Sequence, residues 1–275
     1  MFDSPPLWLR SIELEQSLGA PRKDFPFNLP LVQVGLNLQL EAPVTFFAGE
    51  NGAGKSTLLE ALALSCELPT MGSHDAEHDP TLEGVGQLAR SLQLGWRRRT
   101  RQGFFFRAED FFGFQERIAQ MKRELLAQIA SYESELGDNR EANHAIQRAI
   151  GFIRGQIHAL DARYGEDPDA RSHGEAFLNA FRARIAAPGL YLLDEPEAAL
   201  SPLRQMAFLK LVKDAVEAGS QFIIATHSPL VLRMPDAQIL DFEGVPPCPC
   251  EWEDLASVRL WHAFWSSPES FLRRL

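Results

Sequence analysis

Cysteine is scarce in this 275-residue chain, which has only Cys66, Cys248 and Cys250. Three thiols cannot build the paired bridges on which small secreted domains depend. Long apolar runs are missing too, since nothing approaches the roughly 18 consecutive apolar residues of a membrane-spanning helix. The opening Met1-Phe2-Asp3-Ser4-Pro5-Pro6 has neither the basic segment nor the apolar core of a secretory leader, so a cytoplasmic protein is expected. Positive charge is in deficit: 27 Lys and Arg face 37 Asp and Glu, a net −10. The chain as a whole is therefore no electrostatic partner for nucleic acid or an anionic membrane surface. A hydrophobic content of 45% and a charged content of 23% are those of a globular chain. At this length it forms one large domain or two small ones and buries about three-quarters of its extended surface.

Only five of the basic residues are lysines, and one of them lies in Gly49-Glu50-Asn51-Gly52-Ala53-Gly54-Lys55-Ser56-Thr57. This fits the phosphate-loop pattern G-x-x-x-x-G-K-[ST]. Val44-Thr45-Phe46-Phe47-Ala48 before it is a β-branched and aromatic run that predicts a buried strand, and Ser56 to Leu64 after it predicts a helix. Glycines let the backbone curl so that successive N–H groups converge on an anion, and the helix adds its positive end. Lys55 is placed to reach the β- and γ-phosphates of a nucleotide, with the Ser56 hydroxyl as a ligand for Mg²⁺.

Along the rest of the chain, residues 8–15 and Leu36 to Leu40 alternate apolar and polar and predict strands. Between them Phe25 and Phe27 are candidates to stack on adenine, and equally candidates for the core. His74, Asp75, Glu77, His78 and Asp79 include metal-ligand types, but the Gly and Pro around them predict a solvated loop. Leu92 to Trp96 and Gly103 to Phe106 are expected to pair as a hairpin. Its tip would carry Arg97, Arg98, Arg99 and Arg101, either solvated or touching a nucleic-acid backbone. From Gln115 to about Tyr164 apolar residues recur at intervals of 3 and 4, with Ile146, Ile150, Ile153, Ile157 and Leu160 as the clearest series. An antiparallel helical hairpin broken at Gly137-Asp138-Asn139 is predicted.

A helix starting near Ser172-His173-Gly174-Glu175 offers unpaired N–H groups to an anion. It is followed by Leu190-Tyr191-Leu192-Leu193, a strand that ends in Asp194 and Glu195. Two carboxylates there supply what a Mg–nucleotide site needs: Asp194 to hold the ion, and Glu195 to deprotonate the attacking water. A helix from about Pro202 precedes another apolar strand, Gln221 to Thr226, which ends at His227-Ser228-Pro229. A His at the carboxyl end of such a strand lies where parallel sheets bind ligand, and it reads as a γ-phosphate sensor. The tail holds a strand near Gln238, a Cys-x-Cys loop with no second cysteine pair, and Trp-rich helical pieces.

With these motifs in this order, the chain resembles the ABC-type ATPases, in particular their small stand-alone members, over about residues 8–245. The phrase Asp194-Glu195-Pro196-Glu197-Ala198-Ala199-Leu200-Ser201-Pro202 carries much of the likeness. The resemblance implies an α/β P-loop fold with a mixed central sheet and an inserted helical subdomain. The expected division is 1–110 for the first part of the core, 111–170 for the helical hairpin and 171–275 for the rest of the core. It implies Gly49 to Thr57 as Walker A, Leu190 to Glu195 as Walker B, Ser172 to Glu175 as the signature, Ala199 to Pro202 as the D-loop and His227 as the switch histidine. It also implies ATP and Mg²⁺ as cofactors and an ATP-dependent homodimer in which the signature of one copy meets the nucleotide of the other. Two departures stand out. His173 replaces the signature's first glycine. The family's glutamine after the hairpin strand has no plain counterpart, since Phe106-Arg107-Ala108-Glu109 stands at its place and Gln115 follows late. The expected function is an ATP-hydrolysing, dimerising switch. The alternatives are a transporter's nucleotide-binding subunit, which would seat its permease beside residues 104–116, and a DNA-repair or phage-defence head.

Overall fold

The computed structural model describes residues 7–15, 23–71, 83–136, 140–164, 173–185 and 188–273. Two compact units emerge, Met1–Ala108 with Ala187–Leu275, and Glu109–Ala186. The first opens with β1 (Leu9–Leu14), α1 (Pro30–Val34), β2 (Leu36–Gln39), β3 (Val44–Ala48), α2 (Lys55–Ser65), α3 (Glu83–Ser91), β4 (Gln93–Trp96) and β5 (Gly103–Arg107). The second is helical: α4 (Ala108–Ser134), α5 (Arg140–Tyr164) and α6 (His173–Arg184). The chain then returns to the first unit for β6 (Leu190–Asp194), α7 (Pro202–Glu217), β7 (Gln221–Ala225), α8 (Pro229–Leu232), β8 (Gln238–Asp241), β9 (Cys248–Pro249), α9 (Ala256–Ser266) and α10 (Pro268–Leu272). The boundary falls after α6, so the helix that the sequence reading grouped with the core belongs to the helical unit.

β3, β6 and β7 are buried at every position. Strands apolar on both faces need cover on both, and they are found in parallel sheets. Here they form the centre of a six-stranded sheet ordered β5-β6-β7-β3-β8-β9, parallel except for its antiparallel edge strand β9. Register aligns the carboxyl ends. Arg107 lies opposite Asp194, Asp194 opposite Ala225, Phe47 opposite Ala225, and Ala48 opposite Asp241. The loops that follow these strands therefore leave from one edge. A second sheet, β2-β1-β4, is antiparallel. The buried Gln221 side chain ties the two sheets together. It accepts from the Trp8 and Leu9 amides at 2.8 and 2.9 Å and donates to the Leu9 carbonyl at 2.9 Å.

The hairpin expected over residues 90–109 does not form. β4 pairs with β1 in one sheet and β5 with β6 in the other. The segment between them carries the chain across, with Thr100 buried and Gly103 at φ +127° pressed against the Leu190 backbone. Three of the four arginines expected at its tip make side-chain contacts. Arg99 and Arg101 pair with Glu67, and Arg98 lies 5.5 Å over the Trp8 ring.

In the helical unit, Ile129, Ile150 and Ile153 are buried, with Leu125, Tyr132, Ile146 and Ile157 around them. Lys122 pairs with Asp161 at 2.5 Å and Arg154 with Glu133 at 3.2 Å, so going forward along α4 the partners step back along α5 and the two run antiparallel. α4 starts at Ala108, seven residues ahead of the expected Gln115. The predicted break at residues 137–139 lies outside the described residues.

Candidate nucleotide-binding active site

β3 delivers the chain to a loop whose glycines adopt conformations that other residues avoid. Gly49, Gly52 and Gly54 have φ of +133°, +82° and +92°. A Cβ on Gly54 would sit 2.0 Å from a Leu31 methyl, and one on Gly49 would crowd the Phe242 and Glu243 backbone at 3.2 Å. The curl is thus fixed by backbone freedom and by close packing against α1 and the end of β8. Gly54 is the left-handed cap from which α2 starts, so Lys55 and Ser56 occupy its first turn. The Lys55 ammonium donates to the Gly49 and Glu50 carbonyls at 2.7 and 2.9 Å, which fixes it over the loop. Burial pushes its pKa below the usual lysine value, against the pull of Asp194, Glu195, Glu50 and Glu197.

Ser56 Oγ donates to Asp194 Oδ1 at 3.1 Å, joining residues 138 positions apart. Burial raises the Asp194 pKa to about 6. The Ser56 hydrogen bond lowers it, neighbouring Glu195 raises it, and Arg107 and Lys55 lower it. A hydroxyl and a buried carboxylate in contact, both beside a glycine cradle, are the donor set expected around a Mg²⁺–phosphate group. The residues therefore fit that group. Among the described residues no cluster of three or more His, Cys, Asp or Glu offers an alternative metal site. The His74–His78 stretch lies outside the described residues, and Cys248 and Cys250 are free thiols.

Glu195, one residue past β6, takes φ +49°, a left-handed conformation rare away from glycine. Its amide donates to the Ala225 carbonyl at 2.9 Å, anchoring the turn to the end of β7. The Glu195 side chain is half-buried, and its Oε1 lies 3.4 Å from His227 Nε2, within ion-pair reach but without hydrogen-bond geometry. A solvent-accessible carboxylate beside an imidazole, with Asp194 and the lysine next to it, can take a proton from water held over the loop.

Sheet register and the loop thus bring Lys55, Ser56, Asp194, Glu195 and His227 to one edge. Phe27 packs against the core cluster, whereas Phe25 is exposed and lies against Gly84. Ser172 lies outside the described residues. His173, Gly174 and Glu175 form the first turn of α6 in the helical unit. Two residues near the site carry no role in the sequence reading. Arg107 pairs with Glu60 at 3.2 Å and is in register with Asp194. Glu197 accepts hydrogen bonds from the segment around His227. The third acid of Asp194-Glu195-Pro196-Glu197 was the available signal for the latter.

The sequence matches the family described as "AAA domain, putative AbiEii toxin, Type IV TA system" over residues 73–233, more than half of the chain. It is 30% identical over 230 residues to the aliphatic sulfonates import ATP-binding protein SsuB of Escherichia coli strain K12, covering 82% of this chain and 77% of that protein. The chain belongs to the ABC-type P-loop ATPases. A further relative of this ATPase, named a "Putative ABC transporter ATP-binding protein", comes from Methanosarcina acetivorans. It is 28% identical over 180 residues, and the match covers 65% of this chain and 61% of the relative. Among solved structures, cbiO1 of Clostridium perfringens, part of the ABC transporter complex cbiONQ, gives a TM-score of 0.44 at 16% identity, covering 97% of this chain and 100% of that one. The Smc head domain of Pyrococcus furiosus gives 0.43 at 15% identity, covering 85% and 93%. Scores this low assign no residue. As a member of this superfamily the ATPase binds and hydrolyses ATP.

Proposed function

We propose that this ATPase holds Mg-ATP on Gly49 to Thr57 and splits it with Glu195 as the general base and His227 as the γ-phosphate sensor. The supporting observation is the meeting of five side chains, carried at or just beyond the carboxyl ends of three parallel strands, at one sheet edge, with Ser56 3.1 Å from Asp194 and His227 3.4 Å from Glu195. Lys55 neutralises charge on the β- and γ-phosphates, and loop amides take the remaining oxygens. Ser56 and Asp194 hold Mg²⁺, which screens the phosphate charge when bound. Glu195 draws the proton from the attacking water, and His227 steadies the oxygens of the departing γ-phosphoryl group. Phe25, the more exposed of the two aromatics, is the candidate for adenine. Ser172, Gly174 and Glu175 serve the nucleotide of a second copy.

The biological setting is that of an ATPase head of the toxin–antitoxin or phage-defence kind, a more specific role than a bare dimerising switch. The matched family's description supports this reading. The second reading, a transporter's nucleotide-binding subunit in the cytoplasm, draws on the likeness to SsuB. It fits the geometry less well, because Phe104, Phe105 and Phe106 are buried in β5 and Arg107 leads into α4 with no intervening loop. Among the described residues no helix is long and apolar enough to cross a membrane. Removing a general base costs roughly 10²–10⁴ in rate, so Glu195→Gln is expected to lower ATP turnover at least about a hundredfold while nucleotide affinity is kept. A Glu195→Gln variant that turns over ATP at the parent rate would sink the assignment. ATP-dependent capture of a polytopic membrane protein from the native host would shift the setting to the transporter reading.

A further inference from the structure

Glu197 stands two residues beyond the candidate base, in the turn that leaves β6, and its side chain reaches to the other catalytic loop. Its Oε1 accepts three hydrogen bonds from consecutive residues after β7: Thr226 Oγ1 at 2.5 Å, the His227 amide at 2.8 Å and the Ser228 amide at 3.2 Å. Its own carbonyl accepts from the Leu200 amide at 2.8 Å, so the same residue also closes the turn it sits in. A second strut runs alongside. Ser228 Oγ donates to Gln205 Oε1 at 2.7 Å, and Gln205 Nε2 donates to the Leu200 carbonyl at 3.2 Å. The other Glu197 oxygen, Oε2, is buried and has no hydrogen-bond partner among the described residues. Among the described residues, all of the carboxylate's hydrogen bonding is thus directed at the His227 segment.

We propose that Glu197 is a positioning residue for His227. An anionic oxygen receiving two backbone amides and a hydroxyl fixes the peptide planes on both sides of the imidazole, because charge-assisted bonds are shorter and roughly twice as strong as neutral ones. The brace spans the loops after β6 and β7, so the base Glu195 and the sensor His227 move as one body and their 3.4 Å separation is kept. Without it His227 keeps its chemistry and loses its aim. A misplacement of about 1 Å in a reacting group can cost about 10²-fold in rate. The inference rests on the reading of His227 as the γ-phosphate sensor, and the experiment separates the two.

Steady-state ATP turnover is measured for Glu197→Ala, Glu197→Gln, His227→Ala and the Glu197→Ala/His227→Ala double variant, with thermal melts as the folding check. Glu197→Ala is expected to lower kcat by about ten- to a hundredfold and to leave the KM for ATP within about threefold, since the phosphate loop is untouched. Glu197→Gln retains an acceptor oxygen and is expected to recover to within about threefold of the parent. The double variant is expected to be no slower than His227→Ala alone, because a residue that acts only through His227 has nothing left to position. If Glu197→Ala melts below the assay temperature, Thr226→Val, which removes the hydroxyl that donates to Glu197 and accepts from the Ser228 amide and keeps the shape, replaces it in the cycle with the same expectation. Losses that multiply in the double variant, a Glu197→Ala enzyme at the parent rate, or a raised KM with unchanged kcat would overturn the positioning role while leaving the sensor intact. A His227→Ala enzyme at the parent rate would overturn the sensor reading, and the brace with it.

Discussion

At the scale of single residues the site is a set of charges held where they are costly, and Asp194 shows this most directly. Burial raises its pKa from an ordinary 3.8 to about 6, so the folded protein binds its proton more tightly than the unfolded chain does. Between those two values the folded state holds more protons, and stability falls as pH rises from about 4 to about 6. Above about 6 the ionised carboxylate carries the full penalty, about 3 kcal/mol at 1.36 kcal/mol for each pKa unit. Asp194→Asn, which keeps the shape and an acceptor for Ser56, is expected to be more stable than the parent at neutral pH in nucleotide-free, metal-chelated buffer. The gap should close towards pH 4. Urea unfolding at a series of pH values checks this, and a gap independent of pH would remove burial of the charge as its cause. The same variant is expected to lose Mg-dependent turnover, so stability and activity would move in opposite directions at one residue.

At the scale of elements, the core sheet depends on a joint that no strand pattern announces. Gln221 sits at the start of β7, and its amide serves three main-chain groups of Trp8 and Leu9. Gln221→Leu keeps the volume but leaves those groups unpaired in a buried setting, at a cost of about 1–3 kcal/mol for each unsatisfied group. A loss of about 3 kcal/mol or more in denaturant unfolding is expected, and an unchanged midpoint would show that water replaces the amide. The elements themselves were legible where period and burial agree. β3, β6 and β7 were plain as continuous apolar runs, and the α4–α5 seam as apolar residues spaced 3 and 4. The failed hairpin shows where such reading stops. Leu92-Gln93-Leu94 alternates, as a strand with one wet face must, whereas Phe104-Phe105-Phe106 is apolar throughout, as a strand buried on both faces must be. Strands with different patterns belong to different sheets, and proximity in the chain concealed the difference. The positions of Lys55, Ser56, Asp194, Glu195 and His227 were legible because each follows a recognisable strand or glycine turn. The work of Glu197 was not, because it depends on which loop lies next to which across the sheet edge, and only the order β6-β7-β3 settles that.

At the scale of the whole molecule, the candidate site draws on a single copy for the phosphate loop, the carboxylates and the histidine, while the signature residues lie in the separate helical unit. The resemblance to ABC-type ATPases gives those signature residues to the nucleotide of a second copy, with two ATP molecules buried between two chains. Hydrolysis would then dissolve the dimer, and a variant that binds ATP but does not split it would trap it. Glu195→Gln is that variant, since glutamine keeps the size of the side chain and lacks the base. Light scattering should show it passing from one copy to two when ATP and Mg²⁺ are both present. Ser172→Arg added to it should abolish the change while each copy still binds nucleotide. Net charge adds a further condition. Each copy carries −10, so two copies repel, and the nucleotides bring more negative charge to the interface. Screening shortens from roughly 30 Å at 0.01 M salt to about 8 Å at 0.15 M, so moderate salt should strengthen the trapped dimer. An interface held by exposed ion pairs would show the opposite trend. A Glu195→Gln protein that stays a single copy with saturating Mg-ATP at both salt levels would place the whole catalytic cycle within one chain.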